Sequence, residues 1–445
     1  MAEEMILWGR KLKVARLVLV VSVLASQGCS DGGLSYEGAG LQDAGELVEV
    51  GKNEDVGTTL GPEDVAVADR DALLSDLEPV EPVDTEVPDA DDASDGRDAP
   101  GAQDVETDTG PAPRPDWWGE AIEAEADEWE WINFPDARCI DGSPTGLGIN
   151  LHPGATKALI YFEGGGACWD YGSCAGPIAT AIHLDGFGED TFNGLITGVY
   201  LQSLIFDRRD DRNPFRDAHM VFLPYCTADA FAGDRLVQME GPRGERKTFH
   251  FKGRANMEAW LARLAPTFEG LDRIFVAGSS AGGFGAGLNW PMVQERFGDI
   301  RVDLIDDSGP PIQPSDGLWQ TWQEVWDLEM PPGCVGCEES ADNLRLHLEQ
   351  MLMEMPNRLA LLSFTRDTVI SAFFRLSPEQ FEARIQTVCD EFEPLDNAQC
   401  FLLDGGLHTL LVANARNTEA SDGVALWRWL TQMVEDDPSW ASHGP

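Results

Sequence analysis

The chain has 445 residues, with 78 acidic side chains against 31 basic ones and a formal net charge of −47 at pH 7. A charge of that sign and size repels nucleic acid and anionic membrane surfaces, which excludes a role built on binding either. The acidic excess is uneven, and its distribution divides the chain into three parts.

Residues 1–29 read as an export signal. Arg10, Lys11, Lys13 and Arg16 stand at the head of an apolar run from Val14 to Leu24, broken only by Arg16 and Ser22. The run is short for a bilayer span, and polar, Gly-rich sequence follows it. Ala25, Ser26 and Gly28 lead into Cys29. A small residue before a cysteine is the order of a bacterial lipoprotein signal, although Ser26 stands where such signals usually carry leucine. Cys29 is therefore expected to take lipid, tethering an exported chain at the bacterial cell surface or membrane. Plain secretion is the alternative.

Residues 30–112 are expected to be a disordered acidic linker. Positions 31–112 hold 24 acidic and 3 basic side chains and no Trp or Phe, too little apolar area to offset the entropy of ordering. Asp91, Asp92, Asp95 and Gly96 faintly resemble a calcium loop. Positions three and twelve of that loop are Ala93 and Ala102, so the motif fails.

Residues 113–445 are expected to form one folded unit, with a net charge of about −28, acting as a monomer. Strands are expected at Ala158–Phe162, Met220–Tyr225, Arg273–Ala277, Val302–Ile305, Leu359–Phe364 and Cys400–Leu403. Helical patterns lie at Met257–Phe268, Ala281–Arg296, Asp342–Glu354, Pro378–Cys389 and Val424–Val434. Apolar strands without clean alternation suit a sheet covered on both faces, and alternating strands and helices predict a mostly parallel one. The fold class is thus α/β, α/β-hydrolase-like, with helices on both faces. Residues 167–217 carry few strong elements and are expected to cross the sheet's upper edge as a long excursion.

The most specific signal is Gly278-Ser279-Ser280-Ala281-Gly282, which follows the apolar strand from Arg273 and opens a helix. Gly-x-Ser-x-Gly in that context is a nucleophile elbow, in which a strained turn exposes the central Oγ. Ser280 is at the centre, and Ser279 lies one residue early. The helix N-terminus directs its partial positive charge at a developing oxyanion. Gly164, Gly165 and Gly166 follow the strand ending at Phe162. They can turn amides toward the same point, so Gly165, Gly166 and Ala281 are the expected oxyanion-hole donors.

In this fold the acid and then the base follow the nucleophile in the chain. Three histidines lie beyond Ser280: His347, His408 and His443. His347 falls within a helical pattern, where a surface role is expected, and His443 is third from the end. His408 follows a strand and two glycines, so it is the expected base. Asp367, in the loop after the Leu359–Phe364 strand, is the expected acid. Asp306, Asp307 and Asp404 are its rivals.

Nine cysteines are present. With Cys29 set aside, eight remain, and an even number in an exported chain predicts disulfides. Cys334-Val-Gly-Cys337 has the form of half a zinc knuckle. Without a second Cys-x-x-Cys or a histidine pair at metal spacing, no metal is expected.

These residues carry a family pattern. Cys139-Ile-Asp-Gly-Ser-Pro-Thr-Gly comes first, then Phe162-Glu-Gly-Gly-Gly and Asn213-Pro. Val221-Phe-Leu-Pro-Tyr-Cys226-Thr-Ala-Asp229 and Gly278-Ser-Ser-Ala-Gly-Gly283 follow. In this order, over roughly residues 130–310, the set resembles the pectin acetylesterase/Notum family. The resemblance implies an α/β-hydrolase-like fold, removal of an acyl group from an ester, and no metal or organic cofactor. It also implies pairing of Cys139 with Cys226 and of Cys168 with Cys174, leaving Cys334, Cys337, Cys389 and Cys400 to pair among themselves. Asp367 and His408 stand where the family's acid and base fall. The family's animal branch carries bulky aromatics after the second glycine, where this chain has Gly166 and Ala167, so its acyl pocket is not expected to match the lipid-cleaving members.

Three functions follow as expectations. The first is a serine carboxylesterase that removes O-acetyl groups from a polysaccharide. A lipid or fatty-acyl esterase is the alternative, and a non-catalytic surface binding module is the third.

Overall fold

The computed structural model describes residues 115–445, apart from 178, 199, 201–202, 316, 331–333, 338–342 and 413–414. The export signal, Cys29 and the acidic linker lie outside the described residues.

Among the described residues the strands are β1 (Glu130–Arg138), β2 (Pro144–Asn150), β3 (Lys157–Phe162), β4 (His219–Leu223), β5 (Arg235–Glu240), β6 (Arg246–Phe251), β7 (Arg273–Ser279), β8 (Arg301–Asp307), β9 (Leu359–Phe364) and β10 (Ala398–Leu403). Eight form one sheet in the order β1-β2-β4-β3-β7-β8-β9-β10, and β5 pairs with β6 in a separate hairpin. From β4 to β10 every neighbour in the sheet is parallel. β1 and β2 add an antiparallel edge. The chain therefore adopts the α/β-hydrolase-like, mostly parallel sheet expected of its alternating elements.

The helices are α1 (Tyr171–Ala175), α2 (Glu189–Gly198), α3 (Gly253–Thr267), α4 (Ala281–Phe297), α5 (Leu318–Trp326), α6 (Asn343–Glu354), α7 (Thr368–Phe374), α8 (Pro378–Phe392) and α9 (Leu426–Val434). Successive strand residues face opposite sides of a sheet. On β3, Ala158, Ile160 and Phe162 join one core, while Leu159 and Tyr161 join the other. α3, α4 and α8 cover the first face through Trp260, Trp290 and Phe381. α9 covers the second through Leu426, Trp429, Leu430 and Met433, spaced i, i+3, i+4 and i+7. Each such side chain, fully buried, contributes about 1.5–3 kcal/mol.

Several stretches differ from the sequence reading, the β5–β6 hairpin, α5 and α7 among them. β1 and β2 were not legible as strands because Pro135, Pro144, Gly146 and Gly148 weaken the β signal. Pro135 sits where the β1 register shifts, at the sheet edge where a missing amide costs little. The excursion at 167–217 is partly helical. Phe187, Phe192, Tyr200 and Phe206 pack its inner side onto the second core.

The eight cysteines form four bridges: Cys139–Cys226, Cys168–Cys174, Cys334–Cys337 and Cys389–Cys400. The first ties the β1–β2 turn to the segment after β4.

Candidate active site

The carboxyl ends of β3, β7, β8, β9 and β10 lie side by side, and each leads into a loop that carries one part of the site. This is the edge where open α/β sheets gather their functional groups. β7 ends at Ser279, and Ser280 turns the chain with φ 60° and ψ −124°, a strained conformation for a serine, before α4 begins at Ala281. The Ser280 amide donates to the carbonyl of Asp307 at 2.7 Å, fixing the turn to the end of β8. Gly282 has no room for a side chain, because a Cβ there would collide with the Phe162 carbonyl. The elbow is thereby pressed against the end of β3.

The loop after β3 closes the other side. A Cβ at Gly164 would lie 3.1 Å from Cβ of Ser280, so this loop runs directly over the serine. Gly166 holds a left-handed φ of 75°, against the carbonyl of Thr180. No acceptor among the described residues takes the amides of Gly165, Gly166 or Ala281. Backbone amides without an internal acceptor thus stand on both segments that flank the serine.

β9 leads to Asp367, fully buried, and β10 to His408. His408 Nδ1 lies 2.7 Å from Asp367 Oδ2. Oδ1 of the same carboxylate accepts from the amides of Val369 (2.9 Å) and Ile370 (3.0 Å), so Asp367 also caps α7. The rival acids are engaged elsewhere. Asp404 pairs with Arg366 near the surface. Asp306 accepts from the Gly309 amide at 2.7 Å. His443 pairs with Asp422, and His347 is buried on α6, not at the surface as the sequence reading held.

Asp307 has a role that the sequence did not reveal. It is fully buried, and its carboxylate accepts from Ser279 Oγ (2.7 Å), the Leu410 amide (2.8 Å) and the Leu411 amide (2.9 Å). Tyr161 donates to Ser279 Oγ at 3.0 Å. Asp307 therefore joins the elbow strand to the backbone just beyond His408. Burial raises its carboxyl above the usual range.

Burial pushes the Asp306 carboxyl up to about 8, so it is largely neutral at pH 7. A carboxyl raised above its unfolded value of about 3.9 contributes stability that is fully present below that value and lost as pH rises through the folded one. Wild-type protein is expected to lose several degrees of Tm between pH 6 and pH 9, and Asp306→Asn less. Equal losses in thermal melts of the two would contradict a buried neutral acid.

Beside Ser280 opens a narrow apolar pocket. Ala281, Phe284 and Leu288 of α4, Trp319, Trp322 and Trp326 of α5, and Phe373 and Phe374 of α7 line it. Gly166 and Ala167 also border it, and small residues there leave the wall to be built by aromatics from α5 and α7. Neither helix was among the sequence-predicted elements.

The profile of the family described as pectinacetylesterase matches residues 131–330. The palmitoleoyl-protein carboxylesterase NOTUM of Drosophila melanogaster is 28% identical over 217 residues, covering 44% of this chain and 31% of that protein. Over these residues the chain is similar to the pectin acetylesterase/Notum family. Another relative, the palmitoleoyl-protein carboxylesterase notum1a of Danio rerio, is 31% identical over 180 residues, 38% of this chain and 33% of its own. The chain thus matches these relatives over about a third of their length. The solved structure of the Wnt deacylase Notum from Drosophila has a TM-score of 0.51 at 18% identity, over 70% of this chain and 94% of that one. At that identity the likeness is one of fold. The pectinacetylesterase profile spans both glycine loops, whereas Asp367 and His408 lie beyond it.

Proposed function

We propose that this chain is a serine carboxylesterase whose acyl pocket takes an apolar chain longer than acetyl. Ser280 is the nucleophile, His408 the base, Asp367 the acid, and Gly165, Gly166 and Ala281 supply the oxyanion amides. His408 Nε2 takes the proton of Ser280 Oγ as that oxygen forms a bond to the ester carbonyl carbon. The carbonyl oxygen becomes an oxyanion on the three amides, a contribution of roughly 3 kcal/mol per donor. The carbon–oxygen bond to the alcohol then breaks, and His408 returns the proton to the departing alkoxide. Water, deprotonated by the same base, releases the acid from Ser280.

The observation that carries the reading is the aromatic pocket opening at Ser280, set by Trp319, Trp322 and Phe373. The free space there is small, about 40 Å³, so an alkyl chain enters by parting the aromatic walls and gains contact with each added methylene. The test is steady-state hydrolysis of nitrophenyl acetate, butyrate and octanoate by residues 113–445. kcat/KM for octanoate is expected to exceed that for acetate roughly tenfold or more. A maximum at acetate would return the reading to O-deacetylation of a polysaccharide. No turnover by folded protein would leave a binding module.

Export belongs to the same proposal. It rests on the basic-then-apolar N-terminus and on the four disulfides, which suit an oxidising compartment. A lipid tether at Cys29 rests on the sequence alone, and fatty-acid labelling of cells reads it directly.

A further inference from the structure

Cys334 and Cys337 were set aside as a metal site because the sequence offers no second pair. The fold supplies a third donor from elsewhere. His347, on α6, brings a ring nitrogen to the two sulfurs, and the three donor atoms all lie within 4.8 Å of one another. A tetrahedral zinc ion, with bonds of about 2.3 Å to sulfur and 2.0–2.1 Å to nitrogen, holds such donors roughly 3.5–3.8 Å apart. Once the bond between the sulfurs is opened, they must part by roughly 2 Å to reach that geometry.

A second, independent observation concerns the imidazole. His347 is 5% exposed, and among the described residues neither Nδ1 nor Nε2 has a hydrogen-bond partner. Buried polar groups are nearly always paired, so a buried imidazole with both nitrogens idle calls for a ligand. His347 also lines a cleft with Asn289 and Met292 of α4. Met292 is twelve residues from Ser280 along that helix, roughly 18 Å at the helical rise. None of the three cluster residues lines the apolar pocket beside Ser280.

We propose that Cys334, Cys337 and His347 form a thiol-gated site for a soft divalent transition metal, zinc above all. Two thiolates and an imidazole suit zinc and exclude calcium and magnesium, which take oxygen ligands. A fourth position is left to water or an external ligand. The site is closed while the sulfurs are bonded to each other, as they are here. A dithiol reductant opens it. One of its thiolates attacks Sγ of Cys334, which is partly exposed, and Cys337 leaves as a thiolate and takes up a proton. The reductant's second thiol then displaces Cys334 and closes its own disulfide. Two electrons have passed to the protein, and two thiols are free. Zinc binding displaces both of their protons.

The experiment uses the full chain, treated with a dithiol, freed of it by anaerobic gel filtration, and titrated with cobalt(II) as a spectroscopic stand-in for zinc. One equivalent is expected to bind, giving thiolate-to-cobalt charge transfer and the visible bands of a tetrahedral ion, both abolished by added zinc. Unreduced protein should give neither. Cys337→Ser should remove the charge-transfer band, and His347→Leu should weaken binding about tenfold or more. If His347→Leu does not fold, His347→Gln takes its place. X-ray absorption of the zinc form, counting two sulfurs and at least one nitrogen, reads the ligand set without any variant. No thiolate band in reduced protein, a band that survives Cys337→Ser, equal binding before and after reduction, or an affinity indifferent to His347 would each overturn the proposal.

Discussion

Asp367→Asn is expected to lower kcat for ester hydrolysis about 10⁴-fold while KM stays within a few-fold. The asparagine keeps one side-chain oxygen, which can still accept from the amides of Val369 and Ile370 and cap α7. The amide nitrogen then faces His408 Nδ1, where the carboxylate had accepted. Two donors cannot face each other, so the imidazole moves its proton to Nε2. The lone pair that should take the Ser280 proton is lost. Asp367→Ala adds the loss of the cap, about 1 kcal/mol of stability, to the same kinetic defect. Ser280→Ala, which removes the proposed nucleophile, should cost about 10⁶-fold. Steady-state kinetics on nitrophenyl octanoate with thermal melts of all three variants separate these effects. A kcat for Asp367→Asn within tenfold of wild type would make the bond to His408 structural only.

How much of this was legible depends on where each signal lies. The elbow is local: Gly278 to Gly282 sit in one stretch behind an apolar strand, so a single pattern predicted the strand, the turn and the helix. Asp367 and His408 are separated by 41 residues in sequence, and chain order, their places after strands and the family resemblance together named them. The pocket left no such trace. Its aromatics come from α5 and α7, and a tryptophan that lines a pocket has the same pattern as one that fills a core. His347 is a different case, because its signal was present. Leu344, His347, Leu348 and Met351 are spaced i, i+3, i+4 and i+7, which puts the histidine on the apolar stripe of α6 rather than on its solvent face. Asp307 was invisible in its true role because two of its partners are backbone amides, which carry no residue-type signature.

That role predicts the second large effect. Asp307→Asn is expected to lower kcat about 100-fold with KM little changed, and to destabilise the fold by about 2–4 kcal/mol. Each carboxylate oxygen of Asp307 accepts from a backbone amide: Leu410 on Oδ1 and Leu411 on Oδ2. An asparagine has one acceptor oxygen, so in either orientation its own N–H groups are turned toward a buried N–H. The segment beyond His408 must shift to relieve that clash. Thr409, held at φ 60°, links Leu410 directly to His408 and transmits the shift. A displacement near 1 Å at a general base is enough for a loss of this size. A structural defect alone would reduce the amount of folded enzyme and leave the turnover of each folded molecule intact. Titrating active sites with a fluorophosphonate separates the two, because kcat is then counted per reactive serine. The downfield proton resonance of His408 Nδ1–H gives an independent reading, since it reports whether the bond to Asp367 survives. A kcat per active site within threefold of wild type would mean that Asp307 holds the sheet edge together but does not position the base.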